Sequence, residues 1–146
     1  MNLKSSFEKY CFEKKLQINK NQILVINLLD KFNKHNKFGF TKIFFNKINK
    51  MAFYLSGDVG VGKSMILDFF YNFIKIPKQR YHFNKFMINF HDFRHHYEKE
   101  GKNNSIESFV SELKKKAKLI YLDEFQVTNI VDAMILGKLF EVIIKN

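Results

Sequence analysis

The stretch Ala52-Phe53-Tyr54-Leu55-Ser56-Gly57-Asp58-Val59-Gly60-Val61-Gly62-Lys63-Ser64 decides the fold. Its first five residues form an apolar run of strand length. The next eight fit the pattern G-x-x-x-x-G-K-[ST], a Walker A loop. Gly57, Gly60 and Gly62 permit backbone conformations that other residues avoid, so successive N–H groups can converge on phosphate oxygens. Lys63 supplies a mobile positive charge for the β- and γ-phosphates, and Ser64 offers a hydroxyl to Mg²⁺. A following helix would aim its positive dipole end at the same anion. The whole loop, Gly57, Asp58, Val59, Gly60, Val61, Gly62, Lys63 and Ser64, is thus the candidate nucleotide-binding site.

Downstream, Met65, Ile66, Leu67, Phe69, Phe70, Phe73 and Ile74 cover most of a helix circumference, which predicts a helix buried beside a sheet. Pro77, the only proline, falls where that helix has to end. Arg80-Tyr81-His82-Phe83 reads as a second strand. Arg80 could act as an activating finger, but a solvated residue at a strand entrance is the preferred reading. Lys85 to about Glu100 is helical in pattern. His91 and His95 share one face there, but a third metal ligand at recognisable spacing is missing. Ser105 to Lys116 reads as a further helix, with Asn104 as its cap and Glu107 at capping-box spacing.

A third strand, Leu119-Ile120-Tyr121-Leu122, runs into Asp123-Glu124. Two carboxylates at the carboxyl end of a strand stand where open α/β sheets bind ligands, and some 60 residues after a Walker A loop they read as a Walker B element. Asp123, with Ser64, is the candidate Mg²⁺ ligand. Glu124 is placed to orient and polarise the attacking water and, with Lys63, forms the candidate catalytic pair. No Asn-Lys-x-Asp is present to read guanine, and no Asp-x-x-Gly follows the third strand, so ATP is favoured over GTP. Ile130 to Lys145 completes the pattern as an apolar-faced helix.

Upstream of the loop the signals are plainer. Residues 1–18 are predicted to be partly helical, with Phe7, Tyr10, Cys11 and Leu16 buried. Asn19 to Gln22 has capping-box spacing, and Ile23, Leu24, Ile26, Leu28, Leu29 and Phe32 give a helix from about Lys20 to Phe32 an apolar face. From Asn33 to Lys50 lysines interleave with Phe38, Phe40, Phe44 and Phe45, a pattern that can track and stack single-stranded nucleic acid, or simply form a linker packed on the domain.

Composition narrows the classes. The 146 residues are 46% apolar, enough for one domain with a core. The net charge of +11 is nearly all lysine, with Arg80 and Arg94 the only arginines. That bias, with abundant Asn, Ile and Phe, fits an AT-rich coding sequence and is not taken as a sign of nucleic acid. Cys11 is the sole cysteine, so no intrachain disulfide can form and a cytoplasmic setting is expected. No apolar run approaches membrane-spanning length.

These residues together resemble the AAA-type ATPases that comprise the bacterial cell-division protein ZapE and its mitochondrial AFG-one-like relatives. The resemblance rests on Gly57 to Ser64 with Met65 to Tyr71, on His82-Phe83 with Phe86-Met87 and His91, and on Asp123-Glu124-Phe125-Gln126-Val127-Thr128 with Ile130 and Asp132 to Leu136. It implies an α/β P-loop NTPase of AAA type, a parallel sheet with flanking helices, with residues 51–146 as a partial ATPase core after an amino-terminal helical segment and linker over 1–50. It further implies MgATP hydrolysis, assembly as a homo-oligomer or with a complementing fragment, and protein partners, FtsZ in the bacterial branch. Asp58 matches the family's loop, so its carboxylate is expected to point away from the phosphates. Asn84 and Asn129 stand where the family usually has His and Asp.

The fold is expected to be incomplete at the carboxyl end. Similar ATPases continue into another strand, an arginine finger and a helical lid. An arginine finger contributes ~10³ to 10⁵ in turnover, so this chain alone is expected to hydrolyse ATP weakly or not at all. A nucleotide-binding remnant without activity and a nucleic-acid-dependent loader-type ATPase are the alternatives.

Overall fold

The computed structural model describes residues 2–36, 52–58 and 60–145. It divides into two compact units, Met1–Ile74 and Lys75–Asn146. No helix among the described residues is long and apolar enough to cross a membrane.

The first unit is helical. Helix α1, Leu3–Glu13, starts at Asn2, whose side chain accepts from the Ser5 amide at 2.8 Å. Leu3, Phe7 and Cys11, four residues apart, form its buried face. Burial pushes the Cys11 thiol up, which suits a packing residue rather than a nucleophile. The helix closes with Leu16 N–H on the Cys11 carbonyl and Lys15 N–H on that of Phe12, around a left-handed Lys15. This reversal carries Leu16 off the buried face, so Leu16 is exposed, against the sequence expectation.

Helix α2, Lys20–Asn36, opens on the predicted capping box. Gln22 N–H donates to Asn19 Oδ1 at 2.9 Å, and Asn19 N–H donates to Gln22 Oε1 at 3.1 Å. Its buried line is Gln22, Ile26 and Leu29, whereas Leu24, 59% exposed, and Leu28 face outward, contrary to the expected face. Helix α3, Lys63–Phe73, buries Ile66 and Phe70, and Ile74 beyond its end is buried too. Phe69 meets Phe7 edge-on at 5.1 Å between centroids and Tyr10 at 5.2 Å, while Phe70 lies 6.4 Å from Phe32. Aromatic contacts thus join all three helices.

One expectation fails here. Ala52 to Ser56 pairs with no strand among the described residues. The run instead packs through alternate residues: Phe53 and Leu55 are half-buried, Phe53 lies 6.0 Å from the Phe32 ring, and Tyr54 is 72% exposed. Phe53 thus settles on a helix, an arrangement that an apolar run of strand length also allows.

The second unit holds the sheet. Strand β1, Lys78–His82, and strand β2, Leu119–Asp123, run parallel, with Arg80 opposite Tyr121 and His82 opposite Asp123. Both follow a shared anchor, since the Pro77 carbonyl accepts from the Lys118 amide at 2.8 Å. Parallel strands need a long crossover, supplied here by α4, Phe83–Lys99, and α5, Ser105–Lys116. Phe83, expected to end the strand, instead opens α4. Asn104 precedes α5 as predicted, but in a left-handed conformation and without a side-chain capping bond, so the expected capping box does not form. Helix α6, Ile130–Lys145, is capped by Asn129, whose Oδ1 accepts from the Val131 amide at 2.8 Å.

The core of this unit comprises Phe83, Phe86, Met87 and Phe90 from α4, Phe109, Val110 and Leu113 from α5, and Ile135, Leu136 and Leu139 from α6. Tyr81, Ile120 and Leu122 pack on it from the strands. Alternation then leaves Arg80 and His82 of β1 and Tyr121 and Asp123 of β2 on the opposite face. The core helices thus fix the strands that carry these polar groups. Truncating the fully buried Phe90 to Ala should cost ~3–5 kcal/mol in urea unfolding. Ile144→Ala, on the exposed side of α6, should change stability by less than ~0.5 kcal/mol; similar losses for both would contradict the assigned core.

Candidate functional site

The phosphate loop belongs to the first unit. Gly60 and Gly62 both take φ of 84°, and Gly57 takes 149°. These left-handed conformations explain the glycine spacing. Gly62 is the N-cap of α3 and makes no side-chain capping bond, so the helix presents its first amides at the loop. Lys63 reaches back across the loop, its Nζ donating to the carbonyls of Gly57, at 2.7 Å, and Asp58. An anion arriving at the loop would compete with these carbonyls for the ammonium. Asp58, Gly60, Val61 and Ser64 are exposed, and Val59 lies outside the described residues. The Lys/Phe segment from 37 to 50 also lies outside them.

Gln22 is the residue whose place at the site the sequence does not disclose. Besides its capping role, its Nε2 donates to the Val61 carbonyl at 3.4 Å. A Cβ at Gly62 would stand 3.0 Å from the same Nε2. The start of α2 therefore braces the turn into α3. The one available signal was a polar residue in register with the buried Ile26 and Leu29.

The carboxylates belong to the second unit. Asp123 ends β2, and its Oδ1 accepts from the Glu124 amide at 3.0 Å and the Tyr121 hydroxyl at 3.3 Å. Its Oδ2 accepts from Arg80 Nη2 at 2.5 Å. The Arg80 guanidinium also lies over the Tyr121 ring, 4.9 Å from the centroid. This corrects the reading of Arg80 as merely solvated: parallel register places it on the same face as Asp123. Burial by itself would push the Asp123 carboxyl up, but the bond and charge of Arg80, the Glu124 amide and the Tyr121 hydroxyl outweigh it. The net effect holds the group below its ordinary value.

Glu124 has a left-handed backbone, φ 52°, and its side chain is 75% exposed. His82 Nδ1 stands 3.8 Å from its Oε2. His91 Nε2 lies 2.9 Å from Asp132 Oδ1 and so links α4 to α6. His95 neighbours the His96 ring rather than completing a metal cage, and the described residues contain no cluster of three or more potential ligands. Protein oxygens suited to a hard divalent cation are offered by the Ser64 hydroxyl and the ionised Asp123 carboxylate. Each lies within its own unit.

Comparison with known proteins gives a consistent picture. The AFG1-like ATPase family model matches residues 11–146. Lactation elevated protein 1 homolog B of Danio rerio is 39% identical over 104 residues, which are 64% of this chain and 21% of that protein. Cell division protein ZapE of Escherichia coli is 35% identical over 91 residues, 60% of this chain and 23% of ZapE. The chain spans about a fifth of the length of these curated relatives. No solved structure matches it significantly.

Gly62→Ala should destabilise the first unit by ~1–3 kcal/mol, through left-handed strain and the close Gln22 contact. Adding Gln22→Ala should reduce the cost to ~1–2 kcal/mol; an unchanged cost in the double variant would deny the brace. The folded Asp123 carboxyl lies below the unfolded value of ~3.9, so its pairing contributes fully above that value and is lost as pH falls through the lower folded one. The stability gap between wild type and Arg80→Gln should therefore narrow between urea titrations at about pH 6 and about pH 3. A constant gap would mean that Arg80 acts through packing alone.

Proposed function

This chain belongs to the AFG1-like ATPase family, and from that membership we propose that it supplies the phosphate loop and acidic residues of an enzyme that binds MgATP and hydrolyses it. The observation that carries the reading is the loop itself, with left-handed Gly60 and Gly62 leading into α3 and Lys63 folded back over it. Such a cradle of amides and one ammonium suits a polyphosphate. The metal fits as well: Asp123 is held ionised at a strand end, and Ser64 has an exposed hydroxyl at the start of a helix.

Residues Gly57 to Gly62 bind the phosphates through their backbone amides, and Lys63 neutralises charge on the β- and γ-phosphates as it develops. Ser64 and Asp123 would hold Mg²⁺, Asp123 through the ion's water shell. The bound ion supplies further neutralising charge to the phosphate oxygens. Glu124 orients and polarises the water for in-line attack on the γ-phosphate. Its side chain is 75% exposed, with His82 Nδ1 at 3.8 Å from Oε2.

Residues 51–146 form the partial AAA-type core in this proposal, and 1–50 an amino-terminal helical segment and linker, with Gln22 bracing the loop at Val61. The relative named for cell division, ZapE of Escherichia coli, supports a role connected with cell division, and work on protein partners within a homo-oligomer belongs to the same proposal. A cytoplasmic setting is part of the same proposal. Single-turnover incubation with protein in excess tests the roles even when turnover is slow. Wild type should convert bound ATP to ADP, while Glu124→Gln should bind ATP equally and convert it at least ~100-fold more slowly. Equal conversion by the two would remove Glu124 from the reaction.

A further inference from the structure

The contact between Arg80 and Asp123 uses the atom that the proposed metal role requires. Asp123 Oδ1 already accepts two hydrogen bonds, from the Glu124 amide and the Tyr121 hydroxyl, which fix the plane of the carboxylate. Oδ2 carries the charge-assisted bond from Arg80 Nη2 at 2.5 Å. A guanidinium and a hydrated divalent cation both seek that oxygen, and they repel each other at such separations. Asp123 is largely enclosed, with 15% of its side chain exposed, whereas Arg80 is 38% exposed and has room to leave. It also has a second resting place, since its guanidinium already overlies the Tyr121 ring.

We propose that Arg80 is a resident stand-in cation that neutralises Asp123 while the metal is absent and gives up Oδ2 when Mg²⁺ binds. This inference rests on the reading of Asp123 as a metal carboxylate. Arg80 is a positioning residue: it holds the carboxylate oriented at the strand end, at the expense of cation affinity. The apparent affinity for Mg²⁺ is lowered by the fraction of molecules in which the pair is closed.

The composition makes the test direct, because Arg80 and Arg94 are the only arginines. Arg94 is held within α4 by its own pair, Nε to Glu98 Oε1 at 2.7 Å, and serves as an internal reference. The full chain, labelled with ¹⁵N-arginine and saturated with a non-hydrolysable ATP analogue in EDTA, is titrated with excess Mg²⁺; Arg80→Gln assigns the signals. The Arg80 guanidinium resonances should move and lose their restricted rotation on adding Mg²⁺, while those of Arg94 stay. By calorimetry, Arg80→Gln should bind Mg²⁺ about tenfold more tightly than wild type.

Arg80 signals that stay fixed while Mg²⁺ binds would overturn the proposal. So would a shift already complete with the analogue alone, which would make Arg80 a phosphate contact, or an Arg80→Gln affinity no higher than wild type. Asp123→Asn separates the underlying reading from this one. If that variant binds Mg²⁺ as wild type does, Asp123 is not a metal ligand and both fall. If Asp123→Asn loses Mg²⁺ binding but Arg80 does not respond, only the stand-in role fails.

Discussion

Parallel pairing of two five-residue strands is the constraint on which the second unit depends. Parallel neighbours cannot be joined by a tight turn, so the chain between His82 and Leu119 has to leave the sheet, cover it and return. Helices α4 and α5 do this with a nearly continuous aromatic surface, Phe83, Phe86, Phe90 and Phe109, against which Tyr81, Ile120 and Leu122 close one face. The opposite face keeps the polar members of the same strands. The burial that stabilises the crossover thereby sets Arg80 and His82 beside Tyr121, Asp123 and Glu124. Charge at the strand ends is a consequence of register, and register is fixed by the core.

The first unit reaches its chemistry by a different route. Its three helices are joined by Phe7, Tyr10, Phe32, Phe69 and Phe70, and its functional part is a turn defined by backbone conformation. Left-handed Gly60 and Gly62 would cost other residues strain, and at Gly62 a side chain would also meet Gln22. Lys63 returns over Gly57 and Asp58, so its charge is held at the loop before any ligand arrives. In both units a cation rests on protein oxygens that the proposed chemistry would require it to leave: Lys63 on loop carbonyls, Arg80 on Asp123. Such preformed partners keep charged groups ordered before a ligand arrives, at the cost of contacts that binding has to break.

Much of this is legible in the chain because the signals are local. The capping box at Asn19 and Gln22, the helix over Ser105 to Lys116, the strand ending in Asp123 and the helix from Ile130 to Lys145 are each written within a few residues of where they act. The loop is written in its glycines. Most of what escaped was non-local or ambiguous by nature. Arg80 meets Asp123 across 43 residues and Gln22 meets Val61 across 39, and periodicity carries no information at that range. Ala52 to Ser56 illustrates the ambiguity, since an apolar run of strand length reads the same whether its edges pair with a neighbour or its side chains settle on a helix, as Phe53 does on Phe32. Leu16 shows a third cause, a left-handed Lys15 that no residue type announced.

The central claim is that the turn from Gly57 to Ser64 is a working phosphate cradle, and equilibrium binding tests it most directly. Calorimetric titration of the purified chain with ATP and Mg²⁺, beside the Lys63→Ala variant, isolates the contribution of the one ammonium aimed across the loop. The account predicts saturable one-to-one binding by wild type that Lys63→Ala loses by ~100-fold or more. Absence of binding by the wild type, or equal binding by the two proteins, would contradict it.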